Sequence, residues 1–157
     1  MTVTTPLSNF NVSSATAARV NDLRDLDAAF TIRETVFVGE QGVPHSAEYD
    51  EHDRRDARHY LARTAEGIPA GAARWRVTEN GVKLERFAVL PAFRNQQIGA
   101  ALLHAVLHDV RAEHPQAQVY LNAQLRAVPF YERHGFEKVG EIFEECDIQH
   151  YKMVLKG

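Results

Sequence analysis

The chain has 157 residues, 45% of them hydrophobic, which is enough for one domain with a substantial core and too short for two ordinary ones. Its formal net charge of -3 provides no basic field for nucleic acid, and no apolar run approaches the ~20 residues that span a bilayer. Composition therefore predicts a soluble protein with no nucleic-acid or membrane partner.

The N-terminal residues and the single cysteine indicate the domain boundary and the location of the protein. Residues 1–12 contain no Lys or Arg and no apolar core, which favours a flexible tail over a secretory signal or a transit peptide. We expect a single domain over residues 13–157. Cys146 is the only cysteine, so no internal disulfide can form and a cytoplasmic location is expected. Because Glu145 and Asp147 disfavour a thiolate, we do not expect Cys146 to act as a nucleophile.

Apolar periodicity predicts alternating strands and helices in the first half. A short strand at residues 16–20 precedes a helix that Asn21 or Asp22 caps and that runs to about residue 38. The polar, acidic segment 39–58 is predicted to be a loop with a helical turn. Three strands follow, at residues 59–64, 70–77 and 82–89. Tight hairpins join them, at Glu66-Gly67 and at Glu79-Asn80-Gly81.

The second half continues this pattern. A helix over residues 98–113 carries apolar residues at three- and four-residue spacing, namely Ile98, Leu102, Leu103, Val106, Leu107 and Val110. A strand at 118–122, a short helix at 128–134 that Gly135 ends, and a strand pair at 137–143 and 148–155 complete the chain. The predicted fold is a mixed α/β sheet.

The segment after the strand at 82–89 has the features of an anion site. Pro91 ends the strand, and the helix that follows begins with unpaired N–H groups and a partial positive charge. Arg94 can add a charge-assisted contact. Small side chains leave room for the backbone to approach a pyrophosphate, and they are Gly99, Ala100 and Ala101.

Ordered motifs in the C-terminal half extend this interpretation. They are Arg94-x-Gln96-x-x-Gly99-x-Ala101, Asn122 at the end of a strand, and Phe130-Tyr131-Glu132-x-x-Gly135-Phe136. Their order resembles the GNAT superfamily of N-acetyltransferases over roughly residues 18–155. The N-terminal half is similar to one bacterial subgroup, the ElaA- or YjcF-like proteins. That similarity lies in Arg33-Glu34-x-Val36-Phe37-Val38-x-Glu40-Gln41-x-Val43-Pro44, in Glu48, Asp50 and Asp53, and in Leu121-Asn122-Ala123-Gln124.

The resemblance implies a fold and a reaction. The fold is a single α/β domain with a mixed, mostly antiparallel sheet, splayed between its fourth and fifth strands and flanked by helices. The acyl donor is acetyl-CoA, no metal is needed, and the acceptor is a small-molecule or peptide amine. Because the chain offers no credible nucleophile, direct attack in a ternary complex is expected. Homodimers are common in the family, and we expect one here.

The resemblance also implies where the cofactor lies. Pantetheine occupies the gap beside Phe87, Ala88, Val89 and Asn122, with the Val89 N–H donating to the thioester oxygen and Phe130 packing nearby. Asn122 could instead only cap the following loop. The diphosphate lies on the turn formed by Arg94, Asn95, Gln96, Gln97, Ile98, Gly99, Ala100 and Ala101. Asn95 and Gln97 stand where the family has glycine. Asn tolerates a positive φ, whereas Gln97 is expected to have ordinary helical angles.

The proton transfers have several candidates. The resemblance places Tyr131 beside the coenzyme sulfur, where a protonated phenol can donate to the thiolate, although it could simply be a half-buried helix tyrosine. Glu85, Glu40 and His59 are candidates for the general base or acceptor ligand. Strand alternation predicts that Glu85 shares a face with Val89, roughly 13 Å away. The alternatives are a hairpin salt bridge for Glu85, a satisfied strand-end histidine for His59, and a reaction without a dedicated base.

Two polar clusters remain. His104 and His108 have metal-ligand spacing on a helix but point away from its apolar face, so surface histidines are expected. Glu48, Asp50, Glu51, Asp53 and Asp56 form an acidic loop that is either merely solvated or attracts a cationic amine, since only Arg54 and Arg55 are expected to oppose it. Other functions also remain open: a non-catalytic acyl-CoA-binding or regulatory module of the same fold, or a plain interaction domain.

Overall fold

The computed structural model describes residues 15–157, so the tail expected over residues 1–12 lies outside the described residues. The strands are β1 (Thr16–Arg19), β2 (Arg58–Arg63), β3 (Pro69–Thr78), β4 (Gly81–Val89), β5 (Val119–Gln124), β6 (Phe136–Glu145) and β7 (Ile148–Leu155). The α-helices are α1 (Leu23–Arg33), α2 (His45–Glu48), α3 (Ile98–Glu113) and α4 (Val128–Arg133). The predicted strands are confirmed, with small shifts at their ends.

The seven strands form one sheet in the order β1-β2-β3-β4-β5-β7-β6. The neighbours β4 and β5 run parallel, and every other adjacent pair in this sheet runs antiparallel. A parallel pair needs a crossover connection, which α3 supplies between β4 and β5. The mixed, mostly antiparallel sheet expected from the resemblance is therefore confirmed.

The first helix begins as predicted but ends differently. The Asp22 carboxylate accepts from the Asp25 N–H at 2.8 Å and caps α1. The α-helical pattern stops at Arg33 and continues as a π-helix over Glu34–Glu40, beyond the predicted end near residue 38. Such wider turns are rare and are frequently found at functional sites. This one leads the chain to the edge of the cavity described below.

The core has two parts, one on each face of the sheet. The larger part lies under α3, whose predicted apolar residues are all buried, together with Trp75, Leu84 and Met153. The smaller part lies under α1 and includes Ile32, Val36 and Leu61. Gly71 lets α3 approach β3 closely, because a Cβ there would lie 2.6 Å from the Cγ2 of Ile98.

Candidate active site

A gap opens between β4 and β5. The strands pair at Val82–Val119, Lys83–Tyr120 and Leu84–Leu121, and the register between them ends there. Their remaining lengths, residues 85–89 and 122–124, border a cavity of about 940 Å³. The expected splaying between the fourth and fifth strands is confirmed, and it gives the cavity two walls of strand backbone.

The backbone of Val89 faces this gap. The Leu90 N–H donates to the Ala70 carbonyl at 2.9 Å across the β3–β4 ladder. Since the bonding direction alternates along an antiparallel strand, the Val89 N–H points to the opposite edge of β4. The Val89 carbonyl points the same way and accepts from Arg94 Nε at 3.0 Å. A carbonyl oxygen in the gap would therefore meet a backbone donor at Val89.

The turn before α3 uses two left-handed residues that are not glycine. Asn95 has φ 68°, as its tolerance of that region allows. Gln97 also has φ 68°, with ψ 15°, so the expectation of helical angles there is wrong. In the described part of the chain, the N–H groups of Ile98, Gly99 and Ala100 donate to no acceptor. They face the end of the cavity as an anion site without a side-chain cap.

Most of the predicted cofactor residues line the same cavity. They are Phe87, Ala88, Val89, Arg94, Asn95, Gln97, Ile98, Gly99, Ala100, Asn122, Phe130 and Tyr131. Gln96 and Ala101 do not line it: Gln96 is exposed, and Ala101 lies further along α3. The side chain of Phe130 packs against Gly99, where a Cβ would lie 3.5 Å from its ring.

Arg94 and Glu40 form an ion pair at the edge of the cavity. The guanidinium nitrogens donate to both carboxylate oxygens, at 2.7 and 2.8 Å. This hydrogen bond holds the pKa of Glu40 below its usual value. Glu40 lies in a shallower groove next to the main cavity. In this structure the arginine expected to meet the diphosphate is therefore engaged by Glu40.

Tyr131 lies in an aromatic cluster at the inner wall of the cavity. Its ring packs edge-on against Phe87, Phe130 and Phe136, with centroids 5.1 to 6.2 Å apart. Its hydroxyl makes no hydrogen bond in the described part of the chain. Burial raises the pKa of Tyr131 well above its usual value, so the phenol stays protonated at neutral pH. A buried phenol of this kind can donate a proton to a strong base formed beside it.

Asn122 occupies the opposite strand of the gap. Its side chain is half-buried, lines the cavity, and makes no hydrogen bond within residues 15–157. The next polar side chain on this face of β5, Gln124, is already paired with Gln41 at 2.8 Å. Asn122 therefore has donors and an acceptor available to a bound molecule.

A bulge in β4 separates Glu85 from Val89. Arg86 has φ 59°, and the register with β3 shifts between Ala72 and Arg74. The extra residue reverses the alternation, so Val89 packs on the same core as Leu84, while Glu85 lies on the other face. The expectation that Glu85 and Val89 share a face is therefore wrong.

The Glu85 carboxylate is held by cations. Its Oε1 accepts from Arg76 Nε at 2.6 Å and its Oε2 from Arg74 at 3.2 Å. Lys83 and Arg86 lie 3.7 and 3.8 Å from Oε2. Burial acts to raise the pKa of Glu85, but the surrounding charges, that of Arg74 above all, outweigh it and keep the pKa below its usual value. The hairpin salt bridge is present, and Glu85 is a weak base.

His59 lies outside the cavity. It is buried in β2, its Nε2 lies 2.8 Å from the Asp53 carbonyl, and its ring packs edge-on against Phe30. Burial lowers its pKa. The satisfied strand-end histidine is the interpretation that the structure supports.

The acidic loop does not present an open negative surface. Glu48 and Asp53 are buried, and both accept hydrogen bonds from Arg33. Arg74 donates to Asp53 at 2.6 Å and to Asp50 at 2.9 Å. The expectation that only Arg54 and Arg55 oppose these carboxylates is wrong, because Arg33 and Arg74 reach them from α1 and β3.

Burial and these ion pairs shift the pKa values of the carboxylates in the loop. Burial acts to raise the pKa of Asp50 and Asp53, but the hydrogen bonds and charges of Arg74 and Arg33 lower both. For Glu48 burial prevails and its pKa is raised, although Arg33 offsets part of that shift. Two carboxylates of the loop, Glu48 and Asp53, are therefore buried and ion-paired, whereas Asp50, Glu51 and Asp56 are exposed and lie against Arg74, Arg55 and His52.

The sequence analysis assigned no role in the site to several polar side chains that line the cavity: Arg76, Lys83, Arg86, Gln124 and His150. A signal existed for Arg76 and Lys83, which face each other in the β3–β4 register set by the predicted hairpin. For His150 there was none, since it reaches the cavity only through the pairing of β7 with β5. Its Nδ1 lies 2.7 Å from the Ile148 carbonyl, to which it donates, and its Nε2 lies 4.0 Å from the Glu145 carboxylate.

The remaining candidates take no part in this cavity or only border it. His104 packs edge-on against His134 and is exposed, as is His108. Cys146 is exposed in the turn between β6 and β7, at the rim of the cavity.

Within residues 15–157 no group of three or more His, Cys, Asp or Glu residues is arranged to hold a metal ion. The helices of the described residues all fall short of the length and apolar content that a membrane span requires.

The fold and the cavity define a class of protein. A seven-stranded sheet that opens between its parallel neighbours, with an uncapped helix N-terminus at one end of the gap, is a fold that this chain shares with a solved acyl-CoA N-acyltransferase. Residues 21–156 match the family model described as an acetyltransferase (GNAT) domain. The chain therefore belongs to the GNAT acetyltransferase family.

Individual relatives agree with this assignment. YjcF of Bacillus subtilis, described as an uncharacterised N-acetyltransferase, is 38% identical over 82% of this chain and 91% of its own length. The crystal structure of Escherichia coli ElaA superposes with a TM-score of 0.79 and 28% identity, over 91% of this chain and 99% of that one. The crystal structure of an acyl-CoA N-acyltransferase from Pseudomonas aeruginosa superposes with a TM-score of 0.78 and 30% sequence identity, over 91% of this chain and 99% of that one.

Proposed function

We propose that this protein transfers an acetyl group from acetyl-CoA to a primary amine by direct attack in a ternary complex. The observation that carries the proposal is the continuous cavity from the bare N–H groups at the start of α3, past the Val89 N–H, to Tyr131. Diphosphate, thioester and leaving thiolate each meet a suitable group along it.

The chemistry divides among these groups. The amine nitrogen attacks the thioester carbon, and the negative charge that develops on oxygen is stabilised by the Val89 N–H. Collapse of the intermediate breaks the carbon–sulfur bond, and Tyr131 protonates the thiolate. Asn122 donates to the pantetheine arm. Holding both substrates in one cavity replaces a bimolecular encounter and supplies much of the acceleration.

The proton on the amine needs an acceptor. Glu85 and Glu40 are ion-paired with lowered pKa values, so either acts as a base only weakly. We propose His150 as the acceptor, because it lines the cavity and its Nε2 makes no hydrogen bond within the described residues. His150→Gln should slow transfer without weakening acetyl-CoA binding, whereas unchanged turnover would assign deprotonation to solvent.

A matched pair at one position tests cofactor binding. Gly99→Asp places a carboxylate at the diphosphate site and should abolish the rise in melting temperature that acetyl-CoA produces. An acid in the first helical turn favours the helix, so the free protein should stay folded. Gly99→Asn adds the same bulk without the charge and should keep more of the shift than Gly99→Asp. A full shift in both variants would show that the diphosphate does not lie on this turn.

The alternative is a non-catalytic acyl-CoA-binding module, and the strained Gln97 in place of glycine favours it. The discriminating measurement is thiol release from acetyl-CoA with a panel of amines. A melting shift without thiol release for any amine supports the binding module, and amine-dependent release supports the enzyme. Absence of both would point to a plain interaction domain.

Two further expectations accompany this proposal. We propose a cytoplasmic location, on the basis of the single cysteine, and a homodimer, on the basis of the family resemblance. Size-exclusion chromatography with light scattering tests the second.

A further inference from the structure

The face of the sheet next to the acidic loop carries more positive than negative charge. Five cations are linked by ion pairs to four carboxylates in one cluster. The cations are Arg33, Arg74, Arg76, Lys83 and Arg86, and the carboxylates are Glu48, Asp50, Asp53 and Glu85. The cluster extends from the buried side of α1 to the cavity wall. Its excess charge therefore lies on or near the cavity.

Two of these cations have unused hydrogen-bond donors. Lys83 Nζ lies 3.7 Å from the nearest Glu85 oxygen and makes no hydrogen bond within the described residues. Arg76 donates through Nε alone, which leaves both terminal nitrogens without an acceptor in that part of the chain. About a fifth of each side chain is exposed, and both line the cavity. Ammonium and guanidinium groups in this state favour an oxyanion.

The carboxylate beside them does not repel an anion effectively. Both oxygens of Glu85 already accept hydrogen bonds from arginines, and its side chain is 7% exposed. Arg86 supplies a further positive charge, 3.8 Å from the same carboxylate. A ligand anion at Lys83 and Arg76 would therefore meet donors with little opposing charge.

The geometry points to an amine acceptor that also carries an anionic group, carboxylate or phosphate, held by Lys83 and Arg76. This inference rests on the proposed transfer reaction and names its substrate class. It reverses the expectation of a purely cationic acceptor. The oxyanion replaces water at donors that have no protein partner, so its hydrogen bonds are gained at little cost.

Strand geometry limits the length of the acceptor. The Lys83 ammonium lies beside the Glu85 carboxylate. Because the bulge at Arg86 takes up one residue, about three regular strand steps, roughly 10 Å, separate Glu85 from the Val89 N–H. An α-amino group is too close to its own carboxylate to reach both places. The amine and the anion should instead be separated by several methylene groups, as in a long ω-amino acid or the side chain of lysine.

A ladder of ω-amino acids tests this directly. The series runs from glycine through β-alanine and γ-aminobutyrate to aminohexanoate, each paired with its primary amide, and thiol release gives kcat/KM. We expect the long acids to exceed their amides by about tenfold or more, the scale of one charge-assisted hydrogen bond, and glycine to show no preference. Phosphorylated amino alcohols form a second arm. A preference for them over the carboxylates would support the site with phosphate as its anion.

Variants of Lys83 test whether this side chain produces the preference for the acids over the amides. Lys83→Met should bring the acid-to-amide ratio close to one, and Lys83→Arg should retain most of it. Lys138→Met is the matched control, since Lys138 is exposed, packs on Tyr151 and does not line the cavity. Its ratio should be unchanged. Robust turnover of amides with no preference for any anionic amine would overturn this inference and leave the acetyltransferase intact. Absence of both turnover and acetyl-CoA binding would instead overturn the proposed function.

Discussion

The guanidinium of Arg94 is bound by Glu40 through two hydrogen bonds, at 2.7 and 2.8 Å, at the entrance where a diphosphate should lie. Arg94 also donates to the Val89 carbonyl, so it links three segments around the cavity. If Arg94 binds the diphosphate, acetyl-CoA must compete with Glu40 for the same donors. The free protein would then hold its phosphate-binding arginine in an occupied state.

The competition predicts that Glu40→Gln strengthens acetyl-CoA binding. A neutral amide releases Arg94 more easily, so we expect Kd to fall about threefold to tenfold, the effect of ~1 kcal/mol, when measured by calorimetry. Arg94→Ala should raise Kd. Glu51→Gln, which removes an exposed pair with Arg55 away from the cavity, is the matched control and should change nothing. Weaker binding in Glu40→Gln would mean that Glu40 orients Arg94 for the ligand.

The left-handed Gln97 predicts that Gln97→Gly stabilises the protein. A non-glycine residue in this region costs about 1 kcal/mol, so the free energy of unfolding should rise by up to that amount, less the added freedom of the unfolded chain. Gln96→Gly, whose φ is not positive, should destabilise instead. Urea denaturation of both variants checks this. Destabilisation by both would show that the Gln97 side chain makes a compensating interaction.

The buried phenol predicts a catalytic loss without a binding loss. Tyr131→Phe should lower kcat by about 10²-fold while the acetyl-CoA Kd stays nearly constant. Because burial raises the pKa of Tyr131, its ionisation should not limit kcat below about pH 10. Tyr151→Phe, outside the cavity, is the control. Full turnover in Tyr131→Phe would show that Tyr131 only packs in the aromatic cluster and does not protonate the thiolate.

The buried ion pairs predict a strong dependence of stability on Asp53. Asp53→Asn removes the charge shared by Arg33 and Arg74 and should cost about 3 kcal/mol or more of unfolding free energy. Asp56→Asn, an exposed pair with His52, is the matched control and should have little effect.

The ion pairs of Asp53 with Arg33 and Arg74 also predict how the stability of the fold changes with pH. The folded-state pKa of Asp53 lies below its unfolded value, so its contribution is present above about pH 4 and is lost as pH falls through the folded pKa. Wild-type stability should therefore decline on acidification, and Asp53→Asn should decline less. Parallel declines in the two proteins would assign the acid sensitivity to other carboxylates.

Local patterns in the sequence determined the elements and the turn where we propose that the cofactor binds. Apolar spacing placed α3, turn residues placed the β3–β4 hairpin, and Pro91 with Gly99 located the turn before α3, because each of these depends on neighbours within a few residues. The order of motifs then implied the family, which the comparisons showed.

Long-range packing decided the acceptor end of the site. The bulge at Arg86 carries no glycine signal, and it turned Glu85 to the face opposite Val89. The sequence placed only Arg54 and Arg55 near the acidic loop, because Arg33 and Arg74 reach it from distant parts of the chain. Charge balance within a cavity depends on which strands and helices pack together, and a one-dimensional pattern does not contain that information. The sequence therefore determined how acetyl-CoA is expected to bind, and only the tertiary structure exposed the cationic wall that the amine acceptor would meet.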